Sequence, residues 1–276
     1  MKKDDMGDRL KGYERVETGR RFMPMVPVYC RIDGRGFSKF TRGMKRPYDE
    51  KMSEIMIEVT KYLVEETNAQ TGYTQSDEIS LCWHTTGYDS EIFFSGKIQK
   101  MVSTLAALAT AKFVELALQA WPERCAKRLP TFDARVFQVP NEAELANCFV
   151  WRVRDAVKNS IQMAAQENFS HYELQGKNQS LQLVMLESKG IVWGNYPTFF
   201  KEGTFVKRQY YYKHTEGGTV LRTRVVECDI GRFDAIYDKA DFLLTKNLEP
   251  DSEYIKKTSP ADLIDCGTDG LHGAGD

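Results

Sequence analysis

Cysteine is scarce in this chain, and its six copies (Cys30, Cys82, Cys125, Cys148, Cys228 and Cys266) form no CxxC pair. The four histidines are equally dispersed. A zinc cluster and a disulfide framework therefore lack support, and a reducing compartment is expected. Long apolar runs are also missing. The most apolar region, Leu105 to Trp121, is interrupted by Lys112 and Glu115 and reads as too short and too charged to span a bilayer. The start, MKKDDMGDRL, is charged and has no apolar stretch of the secretory kind, so the expectation is a cytoplasmic protein without a membrane partner. There is no P-loop pattern, no GxGxxG, no internal repeat and no low-complexity block.

What remains is an ordinary globular composition of 276 residues, 42% hydrophobic and 28% charged. Its net charge of -1 conceals an asymmetry. Residues Glu227 to Asp276 carry 12 acidic and 5 basic side chains, net -7, which leaves +6 for Met1 to Val226. A basic body with an acidic tail suits a polyanionic partner.

Hydrophobic periodicity supplies the elements. In PMVPVYCRI, Val26, Val28, Cys30 and Ile32 fall on one face, with Tyr29 and Arg31 on the other, which predicts a strand. Asp33 continues the second face just past the strand end. Met52, Ile55, Met56, Val59 and Leu63 form one helical stripe. TGYTQSDEISLCW then predicts a hairpin that turns at QSD, with Asp77 at or beside its tip. A second helix is predicted from about Gly96 to Ala120, stopped by Pro122. A strand in PTFDARVFQV follows, and then a helix opened by Asn141 and Glu144 that runs to about Phe169. Beyond Gly190 a hairpin is expected, turning at Glu216-Gly217-Gly218, and from about Thr258 a loosely ordered end. This order implies an α+β fold, a mainly antiparallel sheet with helices packed on one face.

Two acids now stand out. If their strands are neighbours, Asp33 and Asp77 emerge at one edge of the sheet. Two such carboxylates repel unless a cation neutralises them, and magnesium is the natural choice. Gly34 and Gly36 then let backbone N–H groups approach a triphosphate. Arg46, before the first helix, and Lys97 and Lys100, at the start of the second, are candidate phosphate contacts.

The stretches RIDGRGFSKF, KRPYDE, YTQSDEISL, FDARVFQVP and WRVRDAVKNS together resemble the histidine-tRNA guanylyltransferase superfamily, from about Val28 to Phe205. That resemblance implies a palm-type (ferredoxin-like) catalytic core that adds nucleotides to the 5′ end of tRNA. It places two magnesium ions on Asp33, Asp77 and the Gly34 carbonyl, with Glu78 as a third acid beside them. It places nucleotide contacts on Asp33, Gly34, Arg35, Gly36, Phe37 and Ser38, and on Ser76 and Asp77. ATP activates the 5′ end, and the 3′-hydroxyl of an incoming GTP or other nucleoside triphosphate then attacks. Where eukaryotic members carry His-Ile-Asn-Asn, this chain has Val157, Lys158, Asn159 and Ser160. Its wording is closer to the bacterial and archaeal relatives that extend tRNA by templating. The resemblance also implies a homotetramer, with tRNA contacts expected at Arg152, Arg154, Lys158, Asn159 and Lys177. Lys207, Arg208, Arg222 and Arg224 in the late hairpin are further candidates.

The expected organisation is a palm core over residues 1–140, a helical segment and β-hairpin over 141–226, and a partly disordered acidic tail over 227–276. Two rival readings stay open at this point. One is a palm-type nucleotide cyclase, which would make product without RNA. The other is a non-catalytic RNA-binding protein on a decayed palm, which the intact Asp33, Asp77 and Glu78 oppose.

Overall fold

The structure, a computed structural model, describes residues 5–215, 218–228 and 236–249. Chain order begins with α1 (Asp5–Thr18), none of whose residues is buried, followed by β1 (Val28–Gly34), the short α2 (Phe37–Phe40) and α3 (Glu50–Thr67). The Asp49 side chain accepts the Met52 N–H at 3.0 Å and so caps the start of α3, and Asn68 ends it in the left-handed region. The hairpin β2 (Thr71–Gln75) and β3 (Glu78–Trp83) comes next, then α4 (Ile98–Ala120), α5 (Pro122–Lys127) and β4 (Phe132–Gln138). Pro122 ends α4 as expected and also opens α5, because a proline at the first helical position loses no hydrogen bond.

α6 (Glu142–Asn168) starts at Asn141, whose side chain accepts the Glu144 N–H at 2.9 Å. Only this half of the expected capping box forms there, since Glu144 instead accepts from Asn147. The rest is α7 (His171–Leu174), α8 (Gln179–Ser188), α9 (Thr198–Lys201), the long pair β5 (Thr204–Thr215) and β6 (Gly218–Cys228), α10 (Ile236–Leu244) and β7 (Asn247–Leu248).

The strands make one seven-stranded sheet in the order β4-β1-β3-β2-β5-β6, with β7 beside β5. All pairs are antiparallel except β5 with β7. The first four strands and the helices α3 and α4 between them form the βαββαβ unit of a ferredoxin-like palm. β5 extends that sheet through β2 and carries β6 outward as the expected hairpin. The turn residues 216 and 217 lie outside the described residues, but Thr215 and Gly218 pair on either side of them.

One detail differs from expectation: helices cover both faces of the sheet. Val28, Cys30, Ile32, Ile79, Leu81 and Trp83 share a core with α3 and α4. Tyr29, Tyr73, Cys82 and Phe205 share a second core with Leu145, Phe149 and Val153 of α6 and with Ala240 and Leu243 of α10. The central strand β3 is buried along its whole length, which requires a layer on each side. Burying a side chain such as Phe149 stabilises that second layer by about 1.5–3 kcal/mol. Part of the acidic segment thus folds, as α10 and β7; the region from Thr258 lies outside the described residues. Among the described residues, α4 is the one helix long and apolar enough to cross a membrane. Its stripe of Met101, Leu105, Ala109, Phe113 and Ala117 is instead packed into the first core.

Candidate active site

The alternation of β1 carries Asp33 to the strand end on the α6 side. The β2–β3 turn consists of Ser76 and Asp77 alone, with Gln75 paired to Glu78. Ser76 adopts a φ of 51°, a cost that a tight turn at a functional edge can carry. Asp33 pairs with Glu78 at the ends of β1 and β3, and Asp77 immediately precedes Glu78 in the turn, so the three acids lie at one edge of the sheet. The Gly34 N–H donates to the Asp77 carbonyl at 3.0 Å. A Cβ on Gly34 would sit 2.8 Å from Asp77 Oδ2, so the carboxylate occupies space that only glycine leaves free. Burial raises the Asp77 carboxyl above the ordinary aspartate range, and the neighbouring Asp33 raises it further.

Two crowded carboxylates and the Gly34 carbonyl make a hard-oxygen donor set, which fits magnesium. Among the described residues no group of three metal-binding side chains forms. Glu78 explains why. It is buried, and its carboxylate is occupied by Arg152 Nε at 2.5 Å and approached by Arg31 Nε at 3.9 Å. Burial pushes Glu78 up to about 7, against the pull of the two arginines.

The loop after Gly34 is held from below. The Arg35 N–H donates to the Thr131 carbonyl at 2.8 Å. Gly36 takes a φ of 67°, a conformation that favours glycine. Phe37 is buried against Phe113 and Phe132, with ring centroids 5.2 and 4.9 Å away, so it anchors the loop. Beside Asp77 opens a cleft of about 460 Å³, lined by Ser38, Arg46, Asp49, Ser76, Asn159 and Gln166. Tyr48 packs on Phe199 and Phe200 at 5.3 and 4.8 Å to form its aromatic wall.

Sequence reasoning missed one cation here. Arg128 Nη2 lies 3.1 Å from where a Cβ of Gly36 would sit, which puts an exposed guanidinium over the glycine loop. Its neighbour Arg124 donates to the carbonyls of Phe40 and Arg42 at 3.0 and 2.8 Å and steadies the same loop. No local signal marks either arginine, because Arg124 on α5 and Arg128 just after it reach the loop only through the tertiary fold.

Other expected contacts move. Lys97 and Lys100 begin α4, whereas Phe113, sixteen residues beyond Lys97, is the part that touches Phe37. At 1.5 Å per residue the two lysines lie roughly 20–24 Å from the loop, at the opposite end of the sheet. Within this chain they do not face the cleft beside Asp77. Arg152, Lys207 and Arg208 were expected to meet RNA, but all three are buried. Arg152 binds Glu78 and, through Nη2, Asp155 at 3.0 Å. Lys207 Nζ donates to Thr71 Oγ1 and the Phe242 carbonyl at 2.7 Å and to the Leu243 carbonyl at 3.1 Å. Arg208 donates to the carbonyls of Val64 and Ala69 at 2.6 and 2.8 Å, satisfying groups at the end of α3. These cations brace layers and are not open to a polyanion. Arg154, Lys158, Lys177, Arg222 and Arg224 are exposed, and Asn159 lines the cleft.

The family model described as Thg1, tRNAHis guanylyltransferase, matches residues 7–140. A bacterial tRNA(His) guanylyltransferase (Thg1)-like protein solved in complex with ATP has a TM-score of 0.70 to this chain. It is 35% identical, and the similarity covers 79% of this chain and 92% of that one. This chain belongs to the Thg1 family. It is a nucleotidyltransferase of the tRNA-modifying kind that the family comprises. A bacterial Thg1-like protein in complex with GTP gives a TM-score of 0.66 at 32% identity, over 87% of this chain and 99% of the other. The tRNA(His) guanylyltransferase of Schizosaccharomyces pombe is 30% identical over 55% of this chain and 56% of its own. An uncharacterized protein of Acanthamoeba polyphaga mimivirus is 28% identical over 95% of this chain and 97% of that one.

Proposed function

We infer that this Thg1-family chain extends tRNA in the 3′–5′ direction, adding nucleotides to a truncated 5′ end under the direction of the opposite strand. The observation that carries this reading is the convergence of Asp33 and Asp77 at adjacent strand ends, with Gly34 between them and a cleft alongside. The higher identity to the bacterial Thg1-like proteins supports the templated branch, as does Val157-Lys158-Asn159-Ser160 in place of His-Ile-Asn-Asn.

In this reading the cleft takes a nucleoside triphosphate, ATP for activation and then GTP or another nucleotide for addition. Backbone N–H groups around Gly34 and Gly36 and the side chains of Ser38, Arg46, Ser76 and Arg128 receive its phosphates, and the wall formed by Tyr48, Phe199 and Phe200 limits where its base can lie. Two magnesium ions, held by Asp33, Asp77 and the Gly34 carbonyl, would neutralise charge on the attacking and leaving oxygens of each phosphoryl transfer. Asp33 and Asp77 keep those oxygens in register. Glu78, fixed by Arg152, braces the strand that presents Asp77. Arg154, Lys158 and Lys177 are proposed to contact tRNA phosphates, so affinity falls steeply with salt. A homotetramer is the proposed assembly and the cytoplasm the proposed compartment.

The test is to offer a tRNA lacking its 5′-terminal nucleotide together with each nucleoside triphosphate in turn. Incorporation that follows the opposing base supports repair. Addition of G whatever the opposing base supports untemplated guanylylation, and product formed without RNA supports a cyclase.

A further inference from the structure

On α6, Trp151, Asp155, Asn159, Gln162 and Gln166 are spaced four, four, three and four residues apart and so share one face. The last three line the cleft. The opposite end of the stripe is Trp151, which is 51% exposed. Its ring is not left bare by accident of position, for two guanidiniums approach it. Arg152 Cζ lies 4.6 Å and Arg31 Cζ 5.5 Å from the ring centroid. Both arginines also approach Glu78, the cross-strand partner of Asp33. Arg31 precedes Asp33 by two residues on the same strand face, about 7 Å along β1. Trp151 therefore stands over the Arg31 side of the sheet edge that carries Asp33, about 12 Å along α6 from Asn159 of the cleft.

We propose that Trp151 is a stacking platform for the base at the 5′ end of the RNA strand being extended. This inference rests on the reading given under "Proposed function". If the cleft holds the triphosphate, the polynucleotide end must reach Asp33 and Asp77 from elsewhere, and the near end of the α6 stripe is the flank that offers a half-exposed aromatic ring. Stacking suits the task because every base has a π-face, so the platform accepts any terminal nucleotide while the opposing strand sets sequence. The flanking guanidiniums fix the ring by cation–π contact.

The experiment uses the full chain and a tRNA that lacks its 5′-terminal nucleotide and carries a 5′-monophosphate. In titrations without nucleotide, tryptophan emission should be quenched by this RNA and much less by the same RNA made abasic at its first residue. The base-dependent part should vanish in Trp151→Phe. In steady state, Trp151→Ala should raise KM for the RNA about 5- to 150-fold, the range expected for one lost stack. KM for the nucleoside triphosphate should stay at the wild-type value, and Trp151→Phe should restore most of the RNA affinity. A wild-type KM for RNA in Trp151→Ala, or quenching indifferent to the abasic site, overturns the proposal. Should Trp151→Ala fail to fold, the fluorescence comparison of wild type with Trp151→Phe decides alone. A wild-type protein that extends no tRNA removes the functional reading, while a base-dependent quench assigned to Trp151 would still support the platform.

Discussion

Arg152 Nε lies 2.5 Å from Glu78 Oε1, an almost wholly buried ion pair that ties α6 to the strand presenting Asp77. The two residues are 74 apart in sequence, so the contact welds the second helical layer onto the palm at the edge that carries Asp33 and Asp77. Asp155 receives the Nη2 of the same guanidinium at 3.0 Å and fixes its orientation.

Breaking that pair from one side should be costly. Arg152→Met leaves Glu78 buried beside Asp33 without its partner, and a loss of about 3–5 kcal/mol in urea unfolding is expected. The double variant Arg152→Met with Glu78→Gln should recover part of it, because no charge is then stranded. A double variant no more stable than the single one would show that the arginine acts through packing alone.

Asp33 and Asp77, the acids proposed to hold magnesium, should trade stability against activity. Asp33→Asn removes the repulsion that raises the Asp77 carboxyl, so the magnesium-free protein should gain about 1 kcal/mol. The same change should lower nucleotide addition by at least about 100-fold, as for loss of a principal electrostatic group. Melting curves in chelator and rates in magnesium check both halves; a variant that is both less stable without magnesium and still active contradicts the assignment.

Arg128 should matter for nucleotide affinity although it lies far from the motifs in sequence. Removing one charge-assisted contact to phosphate costs about 1.5–3 kcal/mol. Arg128→Ala is therefore expected to raise KM for the triphosphate about 10- to 150-fold, with an unchanged melting temperature. Nucleotide binding equal to wild type would place the guanidinium outside the phosphate path.

Lys207 provides a pH signature. Burial lowers its ammonium from the ordinary 10.5 to about 8. A depressed folded value means that the group's contribution is present in full above 10.5 and is lost as pH falls through about 8, where the buried amine charges. The stability of wild type relative to Lys207→Met should therefore rise between pH 8 and 10.5 by up to about 3 kcal/mol and stay level below that interval. Chemical denaturation across this range, fitted as the difference between the two proteins, measures it. A difference independent of pH would mean that Lys207 keeps its charge throughout.

The sequence by itself determined the palm and its pair of acids. A period-two strand puts Asp33 at the end of β1, and a two-residue turn puts Asp77 at the tip of the neighbouring hairpin. Both are local rules of backbone geometry, legible wherever the pattern is clean. Only the tertiary structure decided which cations lie beside the glycine loop. Arg152, Lys207 and Arg208 look like surface charges in the sequence, yet the second helical layer and the β5 pairing bury them among carboxylates and carbonyls. Lys97 and Lys100 begin the helix whose far end reaches the loop, while Arg128 arrives there from the residue just after α5. A long basic side chain carries no local mark of its partner, because its partner is chosen by how layers stack across large sequence separations.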